Sequence, residues 1–395
     1  MARRDRSADG RPSSGLPAST AHLEAAAAWL RRAQDATVDG GVSWGYRLNG
    51  GWAASYPETT GYIVPTYLAL ADAGVGGGTG DDARGGGGGP SDVDRARRAI
   101  SFLLGIQLPN GAFPGARIDQ NRTDPSVFNT GQILNGLVAW HRATNDAATA
   151  EAAARAAAWL VSSQEPDGAW SHDVYNRLEV SYLAHATCWL AEYGEHAGDP
   201  VAMAAAGRHL DRLLQRYDAA TGWFDGAGFS AEDHEARRSV THTLAYTIWG
   251  VLDLGLRLGR PEAVEAASHS AGRVAEVVHR DGRLAGMVDA SWSALSDWDC
   301  LTGSSQMALI WFRLARLGDA AGDLDAARLV LDRVRGAQDL GSRDAGIRGG
   351  IAGSDPAWGE YLRFVLPNWA AKFTIDAFLE EARMAGSPAG AGPAS

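Results

Sequence analysis

A chain of 395 residues with 45% hydrophobic residues is long enough for two or three average domains or for one large repeat-built domain. Its formal net charge of −11 argues against a nucleic-acid partner and against an anionic membrane surface, because both need a basic face. Its two cysteines, Cys188 and Cys300, form no CxxC zinc pattern and suggest no disulfide framework. No apolar run reaches about 18 residues and the N-terminus lacks a signal-peptide core, so we expect no membrane span and a cytoplasmic protein.

Three segments have the composition of loosely ordered chain. Residues 1–18 are rich in charge, serine and proline, and residues 386–395 are rich in small residues and proline. Residues 74–92 contain two glycine runs, which lose much entropy on ordering and offer no side chain to bury. We predict disordered tails at 1–18 and 386–395, and a surface insertion at 74–92 within a single domain spanning 19–385.

Two kinds of helical segment alternate along the chain. The first kind has an apolar stripe, a charged face and a glycine turn at its end, and it recurs as WLRRAQDATVDGGVSWGY, FLLGIQLPNGAFPG, WLVSSQEPDGAW, HLDRLLQRYDAATGWF and VVHRDGRLAG. The second kind is apolar nearly all round after a polar first turn, and it recurs as PETTGYIVPTYLALA, VFNTGQILNGLVAW, EVSYLAHATCWLAEYG, VTHTLAYTIWGVLDLG, CLTGSSQMALIWFRLA and LPNWAAKFTIDAFLE. This pattern indicates about six units with a period of roughly 50–70 residues.

The alternation predicts an all-α fold, an (α/α)6 toroid. Helices with one apolar stripe suit an outer ring, and helices that are apolar all round suit an inner ring. An open solenoid would need polar capping repeats at both ends, and the sequence shows none. Because the inner helices all run in one direction, we expect their polar N-termini to meet at one mouth.

The segment QEPDGAW, from Gln164 to Trp170, resembles the QW-type repeat of the terpenoid cyclase and protein prenyltransferase toroids. Weaker echoes occur at QLPNGAF and QDATVDGGVSW. The resemblance implies that the glutamine caps helix ends, that the tryptophan stacks behind it, and that neighbouring outer helices are tied together. It covers most of the chain as a pattern. Polysaccharide lyases, unsaturated glucuronyl hydrolases and sugar epimerases share the toroid architecture, so the resemblance leaves the reaction open.

The segment SDWDCLTG is a partial match to the acidic motif of terpenoid cyclases. The resemblance implies that Asp297 or Asp299 would act as the general acid that protonates an alkene or epoxide. The last acid of the DxDD pattern is replaced by Cys300, and Thr302 comes one position late for the Asp-Cys-Thr variant. Asp299 and Cys300 are adjacent, which is the wrong spacing for the prenyltransferase zinc site, and we therefore expect no metal.

Polar side chains cluster in the first turns of the inner helices, at positions i and i+3 or i+4, which share a helix face. Any one of them is explained by capping or packing, and a lone histidine on an apolar helix is commonly a hydrogen-bonded core residue. Together they are harder to explain, because each unpaired buried polar group costs about 1–3 kcal/mol. The pattern therefore favours a wet cavity that holds a hydroxylated ligand. The groups are Glu58 with Tyr62, Asn129 with Gln132, Tyr182 with His185, His242 with Tyr246, Asp299 with Thr302 and Gln306, and Asn368 with Lys372, with Trp369 beside them.

A histidine, a tyrosine and an asparagine at one mouth suit proton abstraction beside a uronate carboxylate. By resemblance to toroidal polysaccharide lyases, Asn129 would neutralise the carboxylate, and His242 or Tyr246 would take the proton in a lyase or epimerase reaction. A hydrolase would instead use two carboxylates, for which Glu58 and Asp299 are the candidates.

We expect a glycan or small-molecule substrate and no cofactor, and the oligomeric state stays open. The terpenoid cyclase reaction and a non-catalytic binding toroid are the alternatives. The predicted substrate-binding residues are Tyr62, Gln132, Tyr182, His185, Gln306, Trp369 and Lys372.

Overall fold

The computed structural model describes residues 18–75 and 89–386. The predicted N-terminal tail falls outside this range except for Ala18, the C-terminal tail except for Gly386, and the insertion at 74–92 except for its flanks. Within the described ranges, no helix combines the length and the apolar character needed to cross a bilayer.

Thirteen α-helices account for most of the described residues. In chain order they are α1 (Ala18–Asp35), α2 (Pro57–Asp72), α3 (Asp92–Ile106), α4 (Val127–Thr144), α5 (Ala147–Ser163), α6 (Ala184–Ala197), α7 (Pro200–Leu214), α8 (Ala231–Glu235), α9 (Thr241–Leu258), α10 (Pro261–Asp281), α11 (Leu301–Arg316), α12 (Leu324–Ala337) and α13 (Asn368–Gly386).

The helices form two concentric rings, and the predicted all-α toroid is confirmed. The inner ring is α2, α4, α6, α9, α11 and α13, each packed against the next, and α13 packs against α2 to close the ring. The outer helices α1, α3, α5, α7, α10 and α12 pack against the inner ones. Their composition explains their places. In α12 the buried residues form one alanine and valine stripe, whereas in α9 nearly every residue up to Gly255 is buried.

Short strands, which the sequence analysis did not predict, lie at the N-terminal ends of inner helices. They are β1 (Gly45–Arg47), β2 (Gly51–Trp52), β3 (Tyr217–Asp218), β4 (Trp223–Phe224), β5 (Arg238–Val240), β6 (Met287–Asp289), β7 (Asp299–Cys300), β8 (Ser354–Asp355) and β9 (Val365–Pro367). All pairs are antiparallel: β1 with β2 and β9, β3 with β4, β5 with β6, and β7 with β8. Because β5, β7 and β9 run directly into α9, α11 and α13, these pairings fix where those inner helices begin.

Glutamine side chains tie neighbouring outer helices together. Gln34, Gln107, Gln164 and Gln338 each donate two hydrogen bonds of 2.8–3.2 Å through Nε2, one to a glycine carbonyl in the following turn and one to a carbonyl of another outer helix. The acceptor for Gln338 is His22 of α1, so this bond joins the last outer helix to the first. The bonds stabilise a closed ring and require the turn glycines to approach the next helix closely.

Replacing one of these glycines is expected to destabilise the fold. Gly168 has a φ of +89°, and a Cβ atom there would lie 2.4 Å from the Arg208 carbonyl oxygen. Gly198, which lies outside this set, is the control: it has a φ of +66° and open space around it. Substitution there therefore measures only the cost of placing a side chain at a positive φ. We expect Gly168→Ala to lower the free energy of unfolding by about 2–3 kcal/mol and Gly198→Ala by about 1 kcal/mol. Equal losses in urea unfolding of the two variants would contradict the close approach.

Polar contacts also link inner helices toward their C-terminal ends, opposite the mouth. In ring order, Thr66 of α2 bonds Asp376 of α13, Glu380 of α13 pairs with Arg316 of α11, Arg313 of α11 pairs with Asp253 of α9, Arg257 of α9 pairs with Glu192 of α6, and Asn135 of α4 donates to Glu192. This set, called here the charged ring, connects all six inner helices.

Candidate active site

Glu58 lies in the first turn of α2, where Pro57 opens the helix with a backbone already suited to it. The side chain is 9% exposed, and Tyr56 Oη donates a 2.6 Å hydrogen bond to Glu58 Oε2. Burial raises the pKa of Glu58 to about 7, although the bond from Tyr56 acts in the opposite direction. At neutral pH this carboxyl group is therefore divided between its two protonation states.

Glu58 differs from the other buried carboxyl groups of the described chain. Each of the others is ion-paired with at least one arginine. Glu58 makes no ion pair with any described residue. The arginine-paired groups are Asp92, Glu192, Asp253, Asp299 and Glu380. A desolvated carboxyl group without a structural cation, in the first turn of an inner helix, makes Glu58 a candidate for proton transfer.

Tyr246, one turn into α9, lies between two histidines. Its ring centroid is 4.2 Å from that of His185 on α6 and 4.4 Å from that of His242. Burial lowers the pKa of His242 to about 4. Burial, with the charges of Lys372 and His242, also lowers the pKa of His185 well below its usual value. Both imidazoles are therefore neutral at pH 7.

A glutamine side chain holds each histidine through its Nδ1 atom. Gln306 Oε1 on α11 lies 2.9 Å from His242 Nδ1. On the other side, Gln132 Nε2 on α4 lies 2.8 Å from His185 Nδ1, and Trp189 Nε1 donates to Gln132 Oε1 at 3.2 Å. The predicted binding residues Gln132 and Gln306 thus tie inner helices together and orient the two imidazoles.

Two phenol groups at this site have no hydrogen-bond partner among the described residues. They are Tyr62 Oη and Tyr246 Oη, both fully buried. Burial raises the pKa of Tyr62 and of Tyr246 well above 10, and Glu58 raises both further. Burial and Glu58 also raise the pKa of Tyr182. The phenols are therefore protonated donors that face the same space as the Glu58 carboxyl group.

Partly exposed aromatic side chains surround these groups and form what we call the aromatic rim: Trp44, Tyr56, Phe128, Phe229 and Tyr361. Phe128 packs edge-on against Tyr182 at 5.5 Å and lies 5.5 Å from Tyr246, and Phe229 lies 5.8 Å from Tyr182. The rim offers apolar faces around a polar floor, which suits a sugar ring.

The sequence analysis missed every member of the rim. Tyr361 lies 5.5 Å from His242, and its Oη accepts a 3.0 Å hydrogen bond from the predicted residue Trp369. Tyr361 lies in the connection between α12 and α13, which shows no helical or strand periodicity, so no sequence pattern indicated it. Tyr56 stands two residues before Glu58, and this spacing was the one available signal.

Asn129 and Lys372 have partners of their own. Asn129 Nδ2 donates to the Pro114 carbonyl oxygen at 3.0 Å, and its Oδ1 accepts from Ser126. Lys372 Nζ lies 2.7 Å from Asp376 Oδ2 and above the Phe373 ring. The predicted task of Asn129, neutralising a uronate carboxylate, would fall to the second N–H of Nδ2, because the first is bonded to Pro114.

Asp299 is enclosed by two guanidinium groups. Arg283 Nε lies 2.7 Å from its Oδ1 and Arg333 Nε 2.5 Å from its Oδ2. These contacts join β7 to α12, which gives Asp299 a structural explanation that the sequence did not suggest. Asp297 is exposed, and burial raises the pKa of Cys300 to about 12. Neither the arginine-bound Asp299 nor the exposed Asp297 is placed like the general acid of a terpenoid cyclase, which would face a hydrocarbon cavity.

Two further cavities lie away from the mouth. One of about 550 Å³ runs between α1, α12 and α13, and one of about 260 Å³ lies beside His141 and His196. In the described part of the chain, no cluster of three or more His, Cys, Asp or Glu side chains is arranged to hold a metal ion.

The fold and this mouth together define an (α/α)6 toroid with a polar, aromatic-lined site. Neither a protein-family model nor a curated protein sequence matches the chain significantly. Solved structures do match. The cellobiose 2-epimerase of Bacillus thermoamylovorans B4167 has 13% identity and a TM-score of 0.69, covering 92% of this chain and 98% of that one. A sugar epimerase from a ruminal bacterium has 13% identity and a TM-score of 0.69, covering 94% and 99%.

A third match is the unsaturated glucuronyl hydrolase of Bacillus sp. GL1, with 17% identity and a TM-score of 0.66, covering 93% of this chain and 96% of that one. At these identities the likeness shows the fold. It supports the toroid architecture. It does not show the terpenoid cyclase assignment, which the QEPDGAW repeat and the partial motif around Asp299 had suggested.

Proposed function

We propose that this protein is a sugar epimerase or isomerase that moves a proton at the carbon next to a sugar carbonyl group. The observation that carries the proposal is Glu58, a buried carboxyl group with a pKa near 7 and no ion-pair partner among the described residues. The names of the two epimerases of the same fold agree with a sugar substrate. The aromatic rim gives that sugar a stacking surface.

In the proposed reaction the Glu58 carboxylate takes the proton from the carbon beside the carbonyl, and Tyr56 Oη holds the carboxylate in place. The electron pair of the broken C–H bond moves into the carbonyl group and gives an enediolate oxygen. Tyr62 and Tyr246, protonated and unpaired, are the donors available to that oxygen. A proton delivered to the opposite face of the carbon by the Tyr246 phenol or by water gives the epimer, and Glu58 releases its proton to that phenol or to water to restore the carboxylate. A carboxylate with a neutral imidazole nearby is an established combination for such proton transfer.

The partners of the other polar groups make the alternatives less suitable. A hydrolase needs a second free carboxylate across the site, and Asp299 is enclosed by Arg283 and Arg333. A uronate substrate needs a cation or free amide for its carboxylate. Lys372 is paired with Asp376, and one of the two N–H groups of Asn129 Nδ2 is bonded to Pro114, so neither side chain is wholly free. We therefore favour a neutral sugar over the uronate-bearing glycan that the sequence suggested.

The proposal is tested by incubating the protein in D2O with a panel of aldoses, disaccharides and uronate oligosaccharides and recording proton NMR spectra. Loss of the signal from the proton beside the carbonyl, with or without a new epimer, is the expected result. A conjugated double bond detected by ultraviolet absorbance would instead establish a uronate lyase. Release of a free sugar without deuterium at this carbon would establish a hydrolase.

A further inference from the structure

We infer that Gln132 and Gln306 hold His185 and His242 in opposite tautomers, so that one imidazole offers a donor and the other an acceptor to an α-hydroxycarbonyl group of the substrate. This inference rests on the proposed function for its substrate, and it extends that function to four further positioning and binding residues.

The tautomer of His185 follows from Trp189. The indole Nε1–H can only donate, so the Gln132 atom 3.2 Å from it must be the oxygen, Oε1. Two atoms of the Gln132 amide then lie near His185 Nδ1, the nitrogen at 2.8 Å and the oxygen at 3.2 Å. The nitrogen makes the shorter contact and the oxygen already accepts from Trp189, so the amide donates to Nδ1. An Nδ1 atom that accepts a hydrogen bond carries no proton, so the proton of the neutral ring is on Nε2. His185 Nε2 is buried without a partner among the described residues, so it is a donor that lacks an acceptor.

His242 has the reverse arrangement. Its Nδ1 atom lies 2.9 Å from Gln306 Oε1, and the Gln306 amide nitrogen is buried without a partner among the described residues. With the amide in this orientation the oxygen can only accept, so we assign the proton to Nδ1. The Nε2 atom of His242 is therefore a lone-pair acceptor. Because the rings of His185 and His242 pack on either side of Tyr246, the site combines one N–H donor with one nitrogen acceptor around a single phenol.

The two tautomers select a particular ligand chemistry. A donor at His185 requires an acceptor such as a carbonyl oxygen, and an acceptor at His242 requires a donor such as a hydroxyl group. A carbonyl group with a hydroxyl group on the next carbon, as in an open-chain aldose or a ketose, satisfies both. A polyol offers His185 a hydroxyl oxygen, which can accept the bond but can also turn its own O–H toward the ring, whereas a carbonyl oxygen only accepts. Leaving His185 Nε2, which is buried, unpaired on binding would cost about 1–3 kcal/mol.

Nitrogen NMR of the protein with 15N-labelled histidine measures the tautomers without any turnover, because protonated and unprotonated ring nitrogens resonate in separate ranges. His185→Gln and His242→Gln assign the two sets of signals. We expect His185 to be protonated at Nε2 and His242 at Nδ1. The same tautomer in both rings, or the reverse assignment, would overturn the inference.

Two tryptophan variants give a matched comparison. Trp189→Phe removes the donor that orients Gln132, and we expect the His185 signals to move toward a mixture of tautomers. Trp249→Phe changes a ring that also packs against His185, at 5.4 Å, but its indole donates to Asp253. The tautomer of His185 should be unchanged in this variant. An equal effect of both substitutions would mean that packing, and not Gln132, sets the tautomer.

The ligand preference is tested with dihydroxyacetone, a small α-hydroxyketone, and with glycerol, which has the same carbon skeleton without the carbonyl. Dihydroxyacetone should shift the Nε2 signals of both histidines, and glycerol at the same concentration should shift the His185 signal much less, because its hydroxyl oxygens are not obligate acceptors. Equal shifts with both compounds, or none with dihydroxyacetone, would contradict the inferred ligand class. The tautomer result stands apart from the D2O experiment, so failure of the proposed reaction and failure of this inference are distinguishable.

Discussion

The Glu58→Gln variant is expected to lose at least about 100-fold of its deuterium-exchange activity while its fold becomes more stable at pH 8. The amide keeps the shape of the carboxyl group and can still contact Tyr56, but it cannot accept a proton from carbon. Tyr62, Tyr246 and the aromatic rim remain in place. NMR exchange rates measured on the substrate identified in the D2O panel check the loss of activity.

The expected gain in stability follows from the shift in the pKa of Glu58. The unfolded chain ionises this group near pH 4.5, whereas the folded protein does so near pH 7. The folded state therefore loses stability relative to the unfolded state as pH rises from 4.5 to 7, and above pH 7 the loss is complete. The loss is on the order of 3 kcal/mol, because each pKa unit corresponds to about 1.4 kcal/mol. Urea unfolding at pH 8 should show Glu58→Gln to be more stable than the wild type, and at pH 4 the two should be nearly equal.

Glu360→Gln is the matched control, because it removes an exposed carboxylate next to Tyr361. It should change neither the exchange rate nor the stability by much. If Glu58→Gln retained more than half of the wild-type exchange rate, Glu58 could not be the base.

Arg313→Met is expected to lower the free energy of unfolding by about 3–5 kcal/mol, the largest effect we predict on stability. Arg313 pairs with Asp253, whose side chain is 1% exposed, in the middle of the charged ring. Burial raises the pKa of Asp253 even with Arg313 present. Removing the guanidinium group would leave a buried carboxyl group with the Trp249 indole as its closest donor. Urea unfolding at pH 7 measures the cost.

Two controls separate the ion pair from general packing. Arg316→Met breaks a link of the same ring, but its partner Glu380 keeps a contact with Arg383, and about half of the Arg316 side chain is exposed. Its cost should be about 1 kcal/mol. The double variant Asp253→Leu with Arg313→Met should recover most of the lost stability, since no buried charge is left. Equal losses in Arg313→Met and Arg316→Met would contradict this account of the charged ring.

The fold was predictable because it repeats. Each inner helix is apolar over its whole circumference and each outer helix over one stripe, so the ring order follows from polarity alone. The short strands carry no such signal, since two or three residues do not show an alternating pattern. Their pairing depends on partners distant in sequence, as when Gly45 meets Pro367.

The candidate site was predictable only in part. The first-turn spacing placed Glu58, His242 and Tyr246 on inner helices, and the structure brings these residues to one mouth. The sequence pattern could not show that Asp299 is enclosed by arginines, because Arg333 is 34 residues away on another helix. Nor could it reveal Tyr361, which reaches His242 from a connection between helices. Partners that only folding brings together decide which polar residues are free to react.

The pH dependence of deuterium exchange catalysed by the wild-type protein tests the central claim most directly. If Glu58 is the base, the rate is constant above about pH 7 and falls tenfold per pH unit below it, following the ionisation of a carboxyl group with a pKa of about 7. A rate that instead falls as pH rises through 7 would show that the protonated form is the active one, and a rate independent of pH between 5 and 9 would show that Glu58 does not transfer the proton.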